Sequence, residues 1–291
     1  MNQSKRDETQ KSTKLHLDKY YTSPELAKYV VDKTMEIVKP WDRKTWIEPS
    51  AGNGVFLQYL SNVTAYDIEP EHPDIIQADF LKLRIKHKQG RCIIGNPPYG
   101  SRLNLVKGFC NKSFDIADTV SFILPISQLN NTQSIYKFNL IHSEDLGLKQ
   151  YSGRDVHCCL NIYRRPKWGF NKRKKYTDSE IIEVREVREV IKNKDPKRRR
   201  ELDGFEYDFG ILAWGGGVGR NLRLGDLVEE GQVAKTLYIK IKNGDEKLKE
   251  AILSAKWDEI YPMTATPNLL QWQVYKFVED YYSNKNNEDN K

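Results

Sequence analysis

No long apolar run is present in this sequence. Mean hydropathy is −0.70, and nothing approaches the roughly 20 apolar residues that a membrane-spanning helix needs. A membrane span is therefore not expected. Cysteine is scarce: Cys92, Cys110, Cys158 and Cys159 are the four in 291 residues, and they lack the paired spacing of a zinc site. They read as reduced, intracellular thiols, and no metal is expected. Cys158 and Cys159 sit side by side in a strand-like run, so their side chains are expected on opposite faces. Histidine is also sparse, with five, and His157 without a paired ligand reads as packing. Residues 1–14 lack the apolar stretch of a secretory signal and read as a mobile tail. No internal repeat is visible. The glycine run Gly215-Gly216-Gly217-Val218-Gly219 is not closed by Gly-Lys-Ser/Thr, which argues against a P-loop.

What is present begins with charge. Lys and Arg number 47 against 40 Asp and Glu, a formal net charge of +7, with a pI near 9.0. That surplus favours a polyanionic partner held through phosphate contacts. A surplus of +7 on 34.0 kDa also serves as an ordinary solubility charge. The length suits one sizeable α/β domain and a smaller second one.

The most informative segment is Asn96-Pro97-Pro98-Tyr99, which follows the apolar run Cys92-Ile93-Ile94-Gly95. It reads as a buried strand opening into a stiff, polar turn. Consecutive prolines fix φ and remove N–H donors, leaving carbonyl oxygens without competing donors. Asn96 adds a side-chain carbonyl, and Tyr99 adds a flat ring. Such a turn can grip a planar NH2 group with two acceptors while the ring stacks on its face. An ordinary strand-to-loop turn is the plain alternative, since Asn and Pro are common there.

A second segment, Trp46 to Leu57, reads as a strand, a turn containing Gly52 and Gly54, and the start of a helix. Those glycines permit positive φ and close backbone approach, and the helix start offers free N–H groups. Leu57 stands where a dinucleotide fold would carry a third glycine. Val63 to Ile68 reads as the next strand, with Asp67 placed to accept both hydroxyls of a ribose. Ile75 to Ala78 reads as a third, ending in Asp79 and Phe80; Asp79 suits an exocyclic adenine amine and Phe80 the ring face. For Asp67 and Asp79 the alternative is a solvated strand end or a helix cap. For Ile68 and Phe80 it is plain core packing.

Taken together, Glu48-Pro49-Ser50-Ala51-Gly52-Asn53-Gly54, the strand ends at Asp67 and Asp79-Phe80, and Asn96-Pro97-Pro98-Tyr99 resemble S-adenosylmethionine-dependent DNA adenine-N6 methyltransferases. The order, cofactor motif before catalytic motif before a long C-terminal half, resembles the family's gamma-type arrangement. Lys19 to Ala27 resembles its additional N-terminal cofactor motif more loosely, because Ser23 separates Thr22 from Pro24. The resemblance covers residues 17–165.

The resemblance implies a Rossmann-like class I methyltransferase sheet with helices on both faces, and S-adenosyl-L-methionine as cofactor. Glu48, Pro49, Ala51, Gly52 and Gly54 would hold its methionine end, with Tyr21 and Thr22 closing over the carboxylate. Tyr21 has an alternative as a hydrophobic staple on the helix beginning near Pro24. Asp67 would bind the ribose, Ile68 the adenine face, and Asp79 and Phe80 the adenine. Asn96 and the Pro97 carbonyl would accept from the target N6 amine, Pro98 would stiffen the turn, and Tyr99 would stack on the target base. The target would be a flipped-out adenine of double-stranded DNA, since N6 cannot be reached inside a duplex.

Between the catalytic turn and residue 165 the pattern stays α/β: a helix over 104–115, a strand over 119–125, a short helix over 133–138 and a strand over 156–163. From Arg164 to Tyr176 basic and aromatic residues interleave, a pattern that suits phosphate contact and base stacking, or a solvated linker. Candidate DNA contacts are Arg164, Arg165, Lys172, Arg173, Lys174 and Lys175, then Arg198 and Arg199, then Arg220 and Arg223. A charged helix is expected from 178 to 194, with Glu180, Glu183, Glu186 and Glu189 facing water. Strands are expected over 207–214 and 236–242, helices over 246–255 and 269–282, and a disordered tail from Ser283. Residues 166–282 are thus the expected recognition region, an α+β domain.

The leading expectation is site-specific DNA adenine-N6 methylation in a bacterial or phage cytoplasm, as part of restriction-modification, phage protection or regulation, by a monomer or a dimer. The alternatives are methylation of RNA or of a protein glutamine on the same scaffold, and nucleic-acid binding by a degenerate methyltransferase.

Overall fold

The computed structural model describes residues 21–151, 154–176, 179–190, 204–214, 221–222, 233–262 and 268–288. They divide into two compact units, one ending at Arg173 and one starting at Lys174.

The first unit is built on seven strands: β1 (Thr45–Glu48), β2 (Val63–Asp67), β3 (Ile75–Gln77), β4 (Arg91–Gly95), β5 (Thr119–Pro125), β6 (Asn139–Tyr151) and β7 (Arg154–Arg164). Their order in the sheet is β3-β2-β1-β4-β5-β7-β6. The first five run parallel, and β7 inserts antiparallel between β5 and β6. This is the doubly wound α/β sheet expected from the sequence, with the order reversing between β1 and β4.

The sheet is covered on both faces, and β4 shows it within three residues. Ile93 belongs to one core cluster, while Cys92 and Ile94 belong to the other. Helix α1 (Pro24–Ile37) covers the Cys92 face with Leu26, Ala27, Val30 and Val31. Helix α2 (Asn104–Ile116) covers the Ile93 face with Val106, Phe109, Cys110 and Phe114. β5 is buried at all seven positions, as expected of a strand enclosed on both sides. Cys158 and Cys159 likewise fall into opposite clusters, as strand alternation requires.

α1 starts because Ser23 Oγ accepts from Leu26 N at 3.2 Å and Pro24 occupies the first turn. The residue that loosens the N-terminal motif is therefore the helix cap. The segment after Gly54 forms a 3-10 turn, Val55–Tyr59, rather than the expected α-helix. Residues 133–138 are turns and bends, not a helix. There Asn131 Oδ1 accepts from the backbone N of both Gln133 and Ser134 at 2.9 and 3.1 Å, a local closure that competes with helix formation.

The second unit holds β8 (Ile182–Val190), β9 (Phe209–Leu212), β10 (Asn221–Leu222) and β11 (Val233–Ile241). They form an antiparallel sheet in the order β10-β9-β11-β8. Helices α3 (Glu246–Ser254), α4 (Trp257–Ile260) and α5 (Gln271–Glu288) pack Leu248, Ile252, Trp257, Val274 and Val278 into a core with Ile182, Val184, Ile211 and Ile239. The helix expected over 178–194 is instead β8, paired with β11 from Ile182 to Val190. Its Ile182 and Val184 enter the main core, while Val187 turns to the other face with Phe205 and Tyr238. β-branched residues favour that pairing over a helix. The tail expected from Ser283 is helical through Glu288, because α5 continues to that point.

Candidate cofactor and amine-binding site

Three strands end at one place. β1 ends on Glu48, β2 on Asp67 and β4 on Gly95, beside the order reversal where open α/β sheets bind ligands. Glu48 is 1% exposed, and among the described residues its Oε2 has no hydrogen-bond partner. Burial, reinforced by the charge of Asp67, pushes its carboxyl well above the usual range. A buried carboxyl oxygen without a partner is costly unless a ligand donor meets it.

The turn after β1 is pinned by its neighbour. Gly52 (φ 53°) and Gly54 (φ 79°) both occupy left-handed conformations. Gly52 N donates to Asp67 Oδ2 at 2.7 Å, and Glu69 N donates to Asp67 Oδ1 at 2.8 Å. Asp67 thus holds the glycine turn itself, while Ile68 beside it is 50% exposed and is not core. Pro49 and Ala51 are buried beneath the turn. Tyr21 comes over from the N-terminal segment, donating its hydroxyl to Glu71 Oε1 at 2.5 Å. Its ring edge lies 3.9 Å from where a Cβ on Gly52 would sit. A Cβ there would make only ordinary contact with this ring, so it is the positive φ at 52 that calls for glycine.

Asn96 is where the segments meet. Its Nδ2 donates to Thr22 Oγ1 at 3.2 Å, and Ser50 Oγ donates to its backbone carbonyl at 3.3 Å. Thr22 is buried. Pro97 is buried, and Pro98 and Tyr99 are half-buried. Beyond Tyr99 the chain passes through positive φ at Gly100, Arg102 and Leu103 (64°, 52° and 62°). Positive φ on non-glycine residues is costly and clusters at functional sites.

Two contributors carry no motif. Tyr99 and Cys158 share a hydrogen bond of 3.3 Å between Oη and Sγ, and Cys158 lies 3.9 Å from the Tyr151 hydroxyl. Burial raises the phenol of Tyr151, and a hydrogen bond with Asn96 acts in the opposite direction. Tyr151 and Cys158 come from the β6–β7 pair, about fifty residues beyond the turn. Only a strand insertion next to β5 brings them there, and β6 carries no motif of its own.

Other expected site residues have different surroundings. Phe80 is 1% exposed and stacks on Phe109 with ring centroids 5.6 Å apart, the core-packing alternative. Asp79 caps a 3-10 turn, accepting from Leu81 N at 3.1 Å, and pairs with Lys82 at 3.0 Å.

Among the basic residues, Arg165 Nε donates to Ala117 O at 3.1 Å, and Arg165 also donates to Phe114 O. It thereby satisfies carbonyls at the end of α2. Arg164 lies 3.4 Å from Asp42. Both arginines are thus engaged within the first unit. Lys174 pairs with Glu279 at 2.7 Å, whereas Lys172, Arg173 and Lys175 are exposed. Arg198, Arg199, Arg220 and Arg223 lie outside the described residues. Among the described residues no cluster of His, Cys, Asp and Glu forms a metal site, and no helix is long and apolar enough to cross a membrane.

The sequence matches type II methyltransferases. The Haemophilus influenzae protein M.HincII is 34% identical over 102 residues, which is 32% of this chain and 19% of that protein. M.HindII of H. influenzae strain Rd gives the same identity and coverage. The match thus spans about a fifth of these relatives' length. No family model matches the chain. Among solved structures, a candidate RNA methyltransferase of Pyrococcus horikoshii shares 16% identity at a TM-score of 0.42, over 51% of this chain and 87% of that one. An S-adenosylmethionine-dependent methyltransferase of Clostridium acetobutylicum shares 12% identity at a TM-score of 0.26, over 74% and 90%.

Proposed function

We propose that the first unit is an S-adenosyl-L-methionine-dependent methyltransferase acting on the N6 amine of adenine in DNA. The observation that carries the proposal is the meeting of Glu48, the Gly52–Gly54 turn and the Asn96–Tyr99 turn at adjacent strand ends. Similarity to two type II methyltransferases over 102 residues supports it.

The residues present fit the cofactor. Glu48, with its buried unmatched oxygen, suits the positive amino group of the methionine end. Gly52 and Gly54 leave room for close approach, Tyr21 and Thr22 close the same end, and exposed Ile68 offers a face for the adenine. Asp67 has its carboxylate on the glycine turn, so its first task is to shape that turn. The cofactor supplies an activated sulfonium methyl; the protein's contribution is alignment and electrostatics.

Asn96 is the residue on which turnover depends. The amine lone pair of adenine is conjugated with the ring and is a poor nucleophile. Acceptance of its two N–H groups by Asn96 Oδ1 and the Pro97 carbonyl favours a tetrahedral nitrogen and stabilises the positive charge that develops there. With Asn96 Nδ2 donating to Thr22 Oγ1 at 3.2 Å, Oδ1 is the end of the amide available to accept from the target amine. Tyr99, anchored at its hydroxyl by Cys158, supplies a ring held in one orientation for a flipped base.

A panel of labelled methyl transfer to duplex DNA, RNA and unfolded protein tests the reading. Label confined to DNA supports it. Label in RNA or protein with none in DNA refutes it and selects one of the alternative substrate classes.

A further inference from the structure

Away from the strand ends, the first unit contains a cavity of about 350 Å³ between the flank of α2 and the turns that follow β5. Its polar lining comprises Lys107 and Asn111 from α2, Gln133, Ser134, Tyr136 and Lys137 from the turns, and Arg173, and its lining includes no carboxylate. Lys107 and Asn111 are one helical turn apart and share a face.

Gln133 is the deciding residue. It is 5% exposed, and its Oε1 accepts from Arg173 Nε at 3.4 Å. That contact assigns the oxygen end of the amide, so the other end is the NH2 group. Among the described residues this Nε2 has no hydrogen-bond partner. A buried donor left over in a cation-lined cavity costs free energy unless an acceptor fills it. Its wall is also fixed: Asn171 N donates to Lys137 O at 2.9 Å, and Lys137 Nζ lies 5.4 Å over the Phe170 ring. The basic-aromatic segment is thus tied down along the cavity rather than left as a solvated linker.

We propose that this cavity is a phosphate site, in which Gln133 Nε2, Lys107, Lys137 and Arg173 together bind one phosphate of the DNA backbone. The identity of the polyanion rests on the function proposed above; the site itself rests on its own donors. The chemistry, several donors with no acceptor of opposing charge, also suits a free phosphate. A site of this kind fixes register on the duplex and carries no sequence information.

Two variants of the full chain test it: the double variant Lys107→Ala/Lys137→Ala, and Gln133→Glu, which keeps the shape and places a carboxylate against the ligand. Duplex binding is measured by fluorescence anisotropy between about 50 and 200 mM salt, and inorganic phosphate binding by calorimetry, with thermal melting as a control for folding. Both variants are expected to bind duplex about tenfold more weakly. The log–log salt slope should become shallower by about 0.9, the increment for one phosphate contact. Unchanged affinity and slope in variants that melt like wild type would overturn the proposal. Loss of inorganic phosphate binding alone would overturn the assignment to DNA and leave free phosphate as the ligand. The binding assay needs no turnover. If wild type methylates DNA but the variants bind normally, this inference fails while the function stands; if wild type binds DNA through these residues but transfers no methyl, the reverse holds.

Discussion

Ile93 and Val184 are both buried strand residues, in sheets whose sequences advertise themselves in opposite ways. Around Ile93 the chain reads Cys92-Ile93-Ile94, and β5 is buried at every position. Around Val184 it reads Glu183-Val184-Arg185-Glu186-Val187, with Glu183 pairing with Arg185 at 3.1 Å and Glu186 with Lys235 at 3.3 Å. A parallel sheet enclosed by helices is apolar throughout. The antiparallel sheet of the second unit places its helices against one face and keeps charged residues among its strands. The same element type therefore gives a clear signal in one unit and a misleading one in the other.

The largest test of this comparison is Phe80→Ala. Phe80 carries a site residue's sequence context and a core residue's surroundings. The substitution should cost about 3–5 kcal/mol of stability, read by denaturant unfolding, with little change in cofactor affinity of the folded fraction. A large affinity loss at modest stability cost would return Phe80 to the site.

Next is Tyr151→Phe, which removes only the hydroxyl that Asn96 and Cys158 touch. Turnover should fall about tenfold, roughly 1.4 kcal/mol of barrier, with KM for cofactor unchanged. Unaltered kcat would show that the β6–β7 pair is scaffolding only.

Glu48→Gln is smaller and depends on pH. Because the folded pKa is raised, the contribution of Glu48 to stability is full below the unfolded glutamate value of about 4.3 and is lost as pH rises through the folded value. Without cofactor, wild type should therefore lose stability over that rise and the variant should not. Cofactor binding should weaken in the variant. Parallel pH–stability curves for the two proteins would contradict this account of Glu48.

The smallest effect belongs to the second unit. Lys174→Ala removes an ion pair in which both side chains are about half exposed, worth about 0–1 kcal/mol. A larger loss in thermal melting would mean that Lys174 has a structural task beyond Glu279.

Much of the first unit was legible because its strands are short apolar runs ending in motif residues. Glu48, Gly52, Asp67 and Asn96 lie where the runs stop, and the parallel order brings those ends together. Tyr151 and Cys158 were not legible as neighbours of the Asn96–Tyr99 turn, because their placement depends on β7 inserting beside β5, a pairing that no local pattern encodes. Residues 133–138 look helical by composition, yet Asn131 closes the turn that pre-empts the helix. Arg164 and Arg165 look like phosphate contacts, but Arg165 spends its donors on the end of α2. In β8, charge suggested a solvated helix, whereas Ile182, Val184 and Val187 each found a face of a strand to bury. Charge count alone did not distinguish the two.

The most direct test is single-turnover methyl transfer to mixed-sequence duplex DNA, followed by nucleoside digestion and mass spectrometry, for wild type and Asn96→Ala. N6-methyladenine should form with wild type and slow by about 10²–10³-fold in the variant, the cost typical of removing one transition-state hydrogen-bonding group. Cofactor binding without methyladenine in wild type, or equal rates in the two proteins, would contradict the account.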